Sequence, residues 1–504
     1  MKKTIVKITS ALLLIFVLAG CSDGAKGGKD NEYGKKMTFT VSVLDAEKTF
    51  TAAHKKMCEK FNVEFDTIPL TSSDWNEKTR IWMATGDMPD IMWANIQNYN
   101  FSEYREWADQ GLLHELPDFS KYPNIQKYQS KLESAPYFKL NGKTYAYLSP
   151  RIDMTENHIS SYQFMYRRDW VEKMGMLNDN DEYTWDEFMK IAKAMAQEGV
   201  PGLGKKIGLV GASGAFPHFA GFMQISPYWE QYFKKDGKYV WGLGEPETTE
   251  ALLAARDMYE SGVLWSDQAI STGNDVTNKF MTGEAGIVFG AWEPATIERK
   301  FNQLSEIDKT VNDVYKAVRP MYVKAPNGKL WGQTSVDYWT ITVLNKNLSD
   351  DEVDRILKIY DWMLSDEGRD MFRYGIEGED YVMENGVPKQ TSDNLYSPLV
   401  SMVYIDNTLA YESKLIDERA RNVAKEILDR LSKEDASLRV YDYPLYFFSG
   451  PNKDKYGLYY EEGRAKINEL IMKGGNIEKE WNNWKKSVQS NVDLVLDELN
   501  ASLK

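Results

Sequence analysis

The sequence predicts a mixed α/β protein built from at least two lobes. About 480 residues follow an apolar leader, which is more than one hydrophobic core normally holds. Strand patterns alternate with helix patterns along this length, and Asn-Gly or Asp-Gly pairs predict hairpin turns at 141–142, 236–237, 327–328 and 385–386. Such alternation is typical of sheets covered by helices.

Individual segments carry clear local signals. Apolar and polar residues alternate over 37–43, which predicts a strand. Thr184 with Glu187, and Ser349 with Glu352, have the spacing of a capping box and predict helices that begin at these points. Further helices are predicted over 54–61, 251–259 and 477–499.

The N-terminus has the pattern of a cleaved secretion signal. Three lysines precede the apolar run 11–20, which is shorter than the roughly 20 residues that a membrane span needs. The run ends in Leu18-Ala19-Gly20-Cys21, which resembles the lipobox of bacterial lipoproteins, whose cysteine becomes the lipid-bearing N-terminus. We predict a signal peptide over 1–20, lipidation at Cys21 and a flexible polar tether over 21–36. An uncleaved membrane anchor is the alternative.

Charge and composition restrict the partners. The net charge is −14, and loss of the signal, which holds three lysines and no acid, makes it −17. Such an acidic chain argues against nucleic acid as a partner. After lipidation of Cys21, Cys58 would be alone, so no intrachain disulfide could form. Aromatic residues make up 13% of the chain; most should be core, but Trp and Tyr beside carboxylates also suit sugars, whose apolar faces pack on rings.

Catalytic and metal-binding motifs are largely missing. The four histidines lack the helical spacing of a zinc site, and no phosphate-binding loop occurs. The stretch 211–215 lacks the last glycine of a nucleophile elbow. The acidic stretch 178–182 could hold Ca²⁺, but it has no central glycine and no full loop, so a solvated turn is favoured. We predict no cofactor, no metal site and no catalytic residue.

Seven blocks along the mature chain resemble, in the same order, segments of the extracellular solute-binding proteins of carbohydrate ABC importers (family 1). One is Thr85-Gly86-Asp87-Met88-Pro89-Asp90-Ile91, which is similar to a segment of that family in which a glycine is followed shortly by Pro-Asp. The others are 111–116, 141–146, 166–175, 184–188, 279–286 and 374–378.

The resemblance implies a periplasmic-binding-protein-like fold, in which two α/β lobes joined by a hinge close on a ligand. We expect 37–150 to form the first part of the N-lobe, 151–286 the first part of the C-lobe, 287–340 the N-lobe return with hinge crossings, and 341–504 the rest of the C-lobe with the C-terminal helices. Crossings are expected near 148–151, 287–292 and 331–340. The ligand would occupy the cleft between the lobes.

The function implied by the resemblance is that of a lipid-anchored, extracytoplasmic substrate-binding subunit. It would be a monomer that captures a sugar or oligosaccharide and delivers it to the ABC permease, without chemistry of its own. A lipid-anchored glycoside hydrolase is the alternative, since 75 acidic residues leave room for its two carboxylates. A surface adhesion module would require an all-β repeat, which the sequence lacks.

Seven residues are candidate ligand contacts, chosen from matching positions and from their places at strand ends or expected crossings. Each also has a plain core or surface interpretation, and the ligand interpretation is favoured most for Trp292 and Trp339. The candidates are Asp45, Trp93, Arg151, Trp292, Asp337, Trp339 and Tyr374.

Overall fold

The computed structural model describes residues 32–44, 51–71, 74–97, 100–152, 155, 158–211, 232–268, 270–271, 273–384, 387–391, 399–439, 441–457 and 459–503. The lipidation candidate Cys21 and the ligand candidate Asp45 lie outside the described residues. No helix within these ranges combines the length and apolar character needed to cross a bilayer.

The strands are β1 Met37–Leu44, β2 Val63–Leu70, β3 Ile91–Ala94, β4 Lys139–Leu140, β5 Lys143–Thr144, β6 Ala146–Ile152, β7 Tyr162–Arg167, β8 Glu182–Thr184, β9 Ile207–Val210, β10 Tyr232–Lys235, β11 Lys238–Trp241, β12 Ala285–Ala291, β13 Val318–Lys324, β14 Leu330–Gln333, β15 Tyr338–Leu344, β16 Tyr381–Glu384, β17 Val387–Gln390, β18 Ile405–Asp406 and β19 Ala436–Arg439.

The α-helices are α1 Ala52–Phe61, α2 Trp75–Thr85, α3 Phe101–Asp109, α4 Pro123–Gln129, α5 Arg168–Lys173, α6 Trp185–Gln197, α7 Pro246–Glu260, α8 Gly273–Met281, α9 Pro294–Ile307, α10 Val314–Ala317, α11 Asp350–Met363, α12 Asp366–Tyr374, α13 Val400–Val403, α14 Asn407–Glu412, α15 Glu418–Leu431, α16 Tyr443–Tyr446, α17 Pro451–Tyr456, α18 Tyr459–Lys473 and α19 Ile477–Ala501. Short 3-10 helices span Phe119–Lys121, Ala135–Phe138 and Gly242–Gly244.

The first lobe is built on a six-stranded sheet in the order β18-β6-β15-β3-β1-β2. β1 runs parallel to β2 and β3, whereas β15 is antiparallel to both β3 and β6. Successive side chains of a strand point to opposite faces, so Trp93 and Met92 enter different cores. The sheet is thus covered on both faces.

The second lobe is built on a seven-stranded sheet in the order β19-β14-β13-β7-β12-β9, with β8 paired to β13. β7 is antiparallel to both β12 and β13, and β12 is parallel to β9. The core on one face contains residues of α6, α7, α18 and α19, and the core on the other face contains residues of α8, α9 and α15. The expected two-lobed α/β fold is therefore confirmed.

The chain crosses between the sheets near two of the three expected places. It leaves the first sheet after β6 and enters the second at β7, and it returns between β14 and β15. The expected crossing at 287–292 is wrong, because β12 pairs within the second sheet and the next helix, α9, packs in the same lobe. A further crossing lies between β18 and α14, since β18 pairs with β6 whereas Tyr411 packs in the second lobe.

These connections change the expected division of the chain. Residues of 287–333 lie in the second sheet and its cores rather than returning to the first lobe. Conversely, α11 and the segment 399–404 pack on the first sheet, so 341–504 is not wholly second-lobe. Near the C-terminus, α16 and the residue after it contact both lobes. Tyr446 and Phe447 lie in a first-lobe core, whereas Leu445 lies in a second-lobe core.

Local signals are confirmed where the structure describes them. Thr184 and Ser349 both make the reciprocal capping-box hydrogen bonds with Glu187 and Glu352. The turns at 141–142 and 236–237 join β4 to β5 and β10 to β11, with all four residues at positive φ. The turn at 327–328 joins β13 to β14, and the pair 385–386 lies outside the described residues.

Candidate ligand-binding cleft

The candidate cleft lies where the crossing edges of the two sheets meet. Two crossing segments run beside each other, because Ile159 forms a bridge with Thr334 and the Ser335 amide donates to the His158 carbonyl at 2.8 Å. The Arg151 amide, near the end of β6, donates to the Asp337 carbonyl just before β15 at 2.9 Å. Ligand sites of two-lobed proteins form at such junctions.

An aromatic stack forms the first-lobe wall. The Trp339 ring centre lies 5.2 Å from that of Trp93 and 6.2 Å from that of Trp75, both in edge-to-face geometry. Trp93 is fully buried, and its indole N–H donates to Thr340 Oγ1 at 2.6 Å. Trp339 is only partly buried. The stack therefore holds Trp339 at its outer end, where an apolar sugar face could pack on it.

Aromatic side chains also mark the second-lobe edge. Tyr162 begins β7 and is 39% exposed, and its ring centre lies 6.1 Å from that of the partly buried Phe289 on β12. The β7–β12 register aligns Tyr162 with Ala291, so the end of β12 and the start of β7 share this edge. Glu293 follows, and its carboxylate accepts hydrogen bonds from Ser161 at 2.6 Å and Tyr411 at 3.1 Å.

One half-buried cation lies between the lobes. The Arg151 Nε donates to the Tyr338 carbonyl at 3.3 Å, and no ion pair of Arg151 occurs within the described ranges. Burial raises the pKa of Tyr162, the positive charge of Arg151 opposes this rise, and the nearby Glu293 and Tyr441 side chains add to it. These three groups therefore lie close enough to Tyr162 to act on its hydroxyl, and this edge carries charges of both signs.

Three of the sequence candidates are buried. Trp292 is 1% exposed, its indole N–H donates to the Gln163 carbonyl at 2.9 Å, and the Lys300 ammonium lies 4.4 Å from its ring centre. Asp337 is 3% exposed, and its carboxylate accepts from the Ser134 amide at 3.1 Å. Burial favours a structural role for Trp292, Asp337 and Trp93, because a ligand reaches none of these side chains without rearrangement.

Tyr374 lies apart from this group, at the end of α12. It is half-buried, with the Arg373 guanidinium 5.3 Å from its ring centre. Arg373 approaches Glu412 of α14 at 4.0 Å, so Tyr374 lies near the connection between β18 and α14. The structure thus brings four candidates together, Trp93, Arg151, Asp337 and Trp339, and leaves Tyr374 beside another connection.

Two amide residues at this edge were missed by the sequence interpretation. Asn95 and Gln97 follow the carboxyl end of β3, and both are half-buried. Gln97 Nε2 donates to the Trp339 carbonyl at 3.1 Å and to Asn95 Oδ1 at 3.2 Å. A sequence signal did exist, because polar residues directly after a strand of a parallel pair commonly border ligand sites.

The acidic stretch 178–182 is more than a solvated turn. Asp179 and Asn180 are exposed, but Asp181 is 7% exposed at a φ of +58°. Its carboxylate accepts from Tyr166 and from Arg168 Nε at 2.9 Å, and Arg319 Nε lies 3.7 Å away. No cluster of three metal-ligand residues occurs within the described ranges, and guanidinium groups supply the positive charge beside Asp181.

A separate cavity of about 580 Å³ opens within the first lobe, between α4 and the β4–β5 hairpin. Gln126, Gln129 and Lys143 are among its lining residues. None of the seven sequence candidates lines it, so we assign no ligand to it.

Comparison with known proteins gives the family. The family model for bacterial extracellular solute-binding proteins matches residues 42–370, which is more than half of the chain. The chain belongs to this family. Lipoprotein LipO of Bacillus subtilis is 24% identical over 74% of this chain and 73% of its own length. The polygalacturonan/rhamnogalacturonan-binding protein YtcQ of the same organism is 23% identical over 75% of this chain and 74% of its own.

Solved structures support the fold of this family member. The S. pneumoniae ABC-transporter substrate-binding protein FusA, in complex with kestose, superposes with a TM-score of 0.70 at 17% identity, covering 93% of this chain and 99% of FusA. The alginate-binding protein AlgQ2 gives a TM-score of 0.69 at 14% identity, covering 93% of this chain and 98% of AlgQ2. At these identities the likeness establishes the two-lobed fold alone.

Proposed function

We propose that the protein is the substrate-binding subunit of an ABC importer and captures a sugar or oligosaccharide in the cleft between its lobes. A further relative supports this proposal: an arabinooligosaccharide-binding protein of Bacillus subtilis is 25% identical over 51% of this chain and 54% of its own length. In this proposal the chain binds and releases its ligand unchanged, and a separate permease carries it across the membrane.

The observation that carries the proposal is the aromatic stack ending at Trp339. Trp93 and Trp75 fix the orientation of the Trp339 ring, and Tyr162 with Phe289 offers further ring surface on the second lobe. A sugar ring has apolar C–H faces and hydroxyl edges. It can pack its faces on such rings while its hydroxyls bond to Arg151 and the neighbouring amides.

The hydrolase alternative fits the described cleft less well. A glycosidase needs two carboxyl groups that face each other across the scissile bond. Of the two carboxylates discussed at this edge, Asp337 is buried and Glu293 is held by Ser161 and Tyr411. Neither is free to act as the acid of such a pair without losing those contacts.

The test is a thermal-shift screen followed by calorimetry. Kestose, an arabinooligosaccharide and an oligogalacturonide form the first panel, with glucose as a monosaccharide control. A sugar that raises the melting temperature should bind in calorimetry and be recovered intact by chromatography after overnight incubation. Cleaved products would support the hydrolase, and absence of binding across the panel and a wider glycan array would contradict the proposal.

We also propose that lipid at Cys21 holds the protein on the outer face of the cell membrane, as a monomer next to its permease. The lipobox-like ending of the leader and the lipoprotein name of one relative support this placement. The polar stretch that follows Cys21 would give the lobes freedom to reach the permease.

A further inference from the structure

A chain of side-chain amides connects α16 to the candidate cleft. Tyr446, on α16, donates its hydroxyl to Gln97 Oε1 at 2.6 Å. Gln97 Nε2 in turn donates to Asn95 Oδ1 at 3.2 Å and to the Trp339 carbonyl at 3.1 Å. Tyr446 is 7% exposed, whereas Asn95 and Gln97 are half-buried at the crossing edge.

A backbone carbonyl fixes the orientation of both amides. The Trp339 carbonyl can only accept, so the Gln97 atom beside it must be the nitrogen. That places Gln97 Oε1 toward Tyr446, where it accepts the phenol proton. Since Gln97 Nε2 is also the atom that meets Asn95, the Asn95 atom at this contact must be the oxygen. Asn95 Nδ2 therefore points away from Gln97.

The Asn95 amide nitrogen is left with protons to donate. The Asn95 side chain is reachable from solvent, and Nδ2 donates to no protein atom within the described ranges. The backbone around it is well satisfied, because the Asn95 carbonyl accepts from Asn100 Nδ2 at 2.9 Å. The Asn95 amide is thus held through its oxygen by Gln97, while its nitrogen has two N–H groups available to a ligand.

We infer that Asn95 is a specificity-determining ligand contact, which donates through Nδ2 to an oxygen of the bound saccharide beside the Trp339 ring. Gln97 and Tyr446 are positioning residues that hold the donor outward. The inference rests on the proposed function and adds a requirement to it: the sugar must present an acceptor oxygen, from a hydroxyl, ring or carboxylate group, at the Asn95 end of the aromatic wall.

The experiment is a double-mutant cycle on the full chain, with the tightest-binding sugar of the kestose, arabinooligosaccharide and oligogalacturonide panel as the probe. Asn95→Ala should weaken binding about 5- to 10-fold, the usual cost of one lost hydrogen bond. Tyr446→Phe keeps the ring but removes one of the two hydrogen bonds that hold the Gln97 amide, so Asn95 is held less firmly and binding should weaken about 3-fold. In the Asn95→Ala background, Tyr446→Phe should have no further effect, because there is no donor left to orient.

The control is Asn347→Ala. Asn347 is exposed beyond the far end of β15 in the same lobe, so this change should leave affinity unaltered. Asn95→Ser serves as a second variant if Asn95→Ala melts below wild type. Wild-type affinity in both Asn95 variants would overturn the inference and leave the proposed function standing. Additive losses in the cycle would overturn the positioning role, and failure of the wild type to bind any sugar would remove the proposed function together with the inference.

Discussion

Alanine at Trp292 and at Trp339 should have different effects, because the structure places Trp292 in a core and Trp339 at the edge of the candidate cleft. The sequence favoured a ligand contact at both positions, which would make alanine at either one weaken binding more than stability. The structure changes this expectation for Trp292, which is 1% exposed and hydrogen-bonded to the Gln163 carbonyl. Trp292→Ala should lower the free energy of unfolding by about 3–5 kcal/mol, as large-to-small changes in a core do.

For Trp339→Ala we expect a large loss of sugar affinity and only a small loss of stability. The ring is partly exposed and contributes less to the core, so the unfolding free energy should fall by less than in Trp292→Ala. Aromatic anchors at a desolvated contact often contribute about 2 kcal/mol to binding. At about 1.4 kcal/mol per tenfold, the dissociation constant for the bound sugar should rise roughly 30-fold.

Denaturant unfolding and calorimetric titration, run on the same preparations, measure both quantities. Trp339→Phe is the matched control, since it keeps an aromatic face and should recover much of the affinity. The reasoning is refuted if Trp292→Ala binds 30-fold more weakly while remaining as stable as wild type. It is equally refuted if Trp339→Ala binds as tightly as wild type.

Three further outcomes are expected. Cys21→Ala should release the protein from membranes in cell fractionation; retention with an intact leader would indicate a true membrane span. A saturating sugar should reduce the radius of gyration in solution scattering, because a cleft ligand contacts both lobes only when they close; identical curves would count against closure. Burial lowers the pKa of His54 to about 4 from 6.5, so protonation opposes folding and stability is lost as pH falls between these values. Between pH 7.5 and 4.5 the unfolding free energy should fall about 2–3 kcal/mol more in wild type than in His54→Gln, and equal losses would argue against a buried neutral imidazole.

Local structure was largely predictable because its causes are local. A capping box such as Thr184 with Glu187 places the donor and acceptor within one turn, so three residues of spacing suffice to predict the helix start. The turn at 236–237 requires only two residues that tolerate positive φ. Chain length predicted at least two lobes, and the family resemblance supplied their hinged arrangement, which no local pattern contains.

The crossings between lobes and the site residues were harder to predict, because they depend on contacts between residues that lie far apart in the chain. An apolar strand followed by a helix has the same pattern whether or not the chain changes sheets, so 287–292 could be mistaken for a crossing. Burial of Trp93 depends on partners such as Thr340, which is 247 residues away. The Gln97 amide is held by Trp339, 242 residues away, and by Tyr446, 349 residues away, so no sequence spacing could indicate its orientation.

Because α16 contributes to the cores of both lobes, the protein cannot be cut simply into one lobe and the other. Leu445 and Phe447 are two residues apart in the chain, yet they belong to the cores of opposite lobes. A truncation before this helix would remove Tyr446 and Phe447 from one lobe and two long helices from the other. Neither lobe is a contiguous, separable fragment of this chain. The two lobes must therefore be synthesised, folded and engineered as one chain.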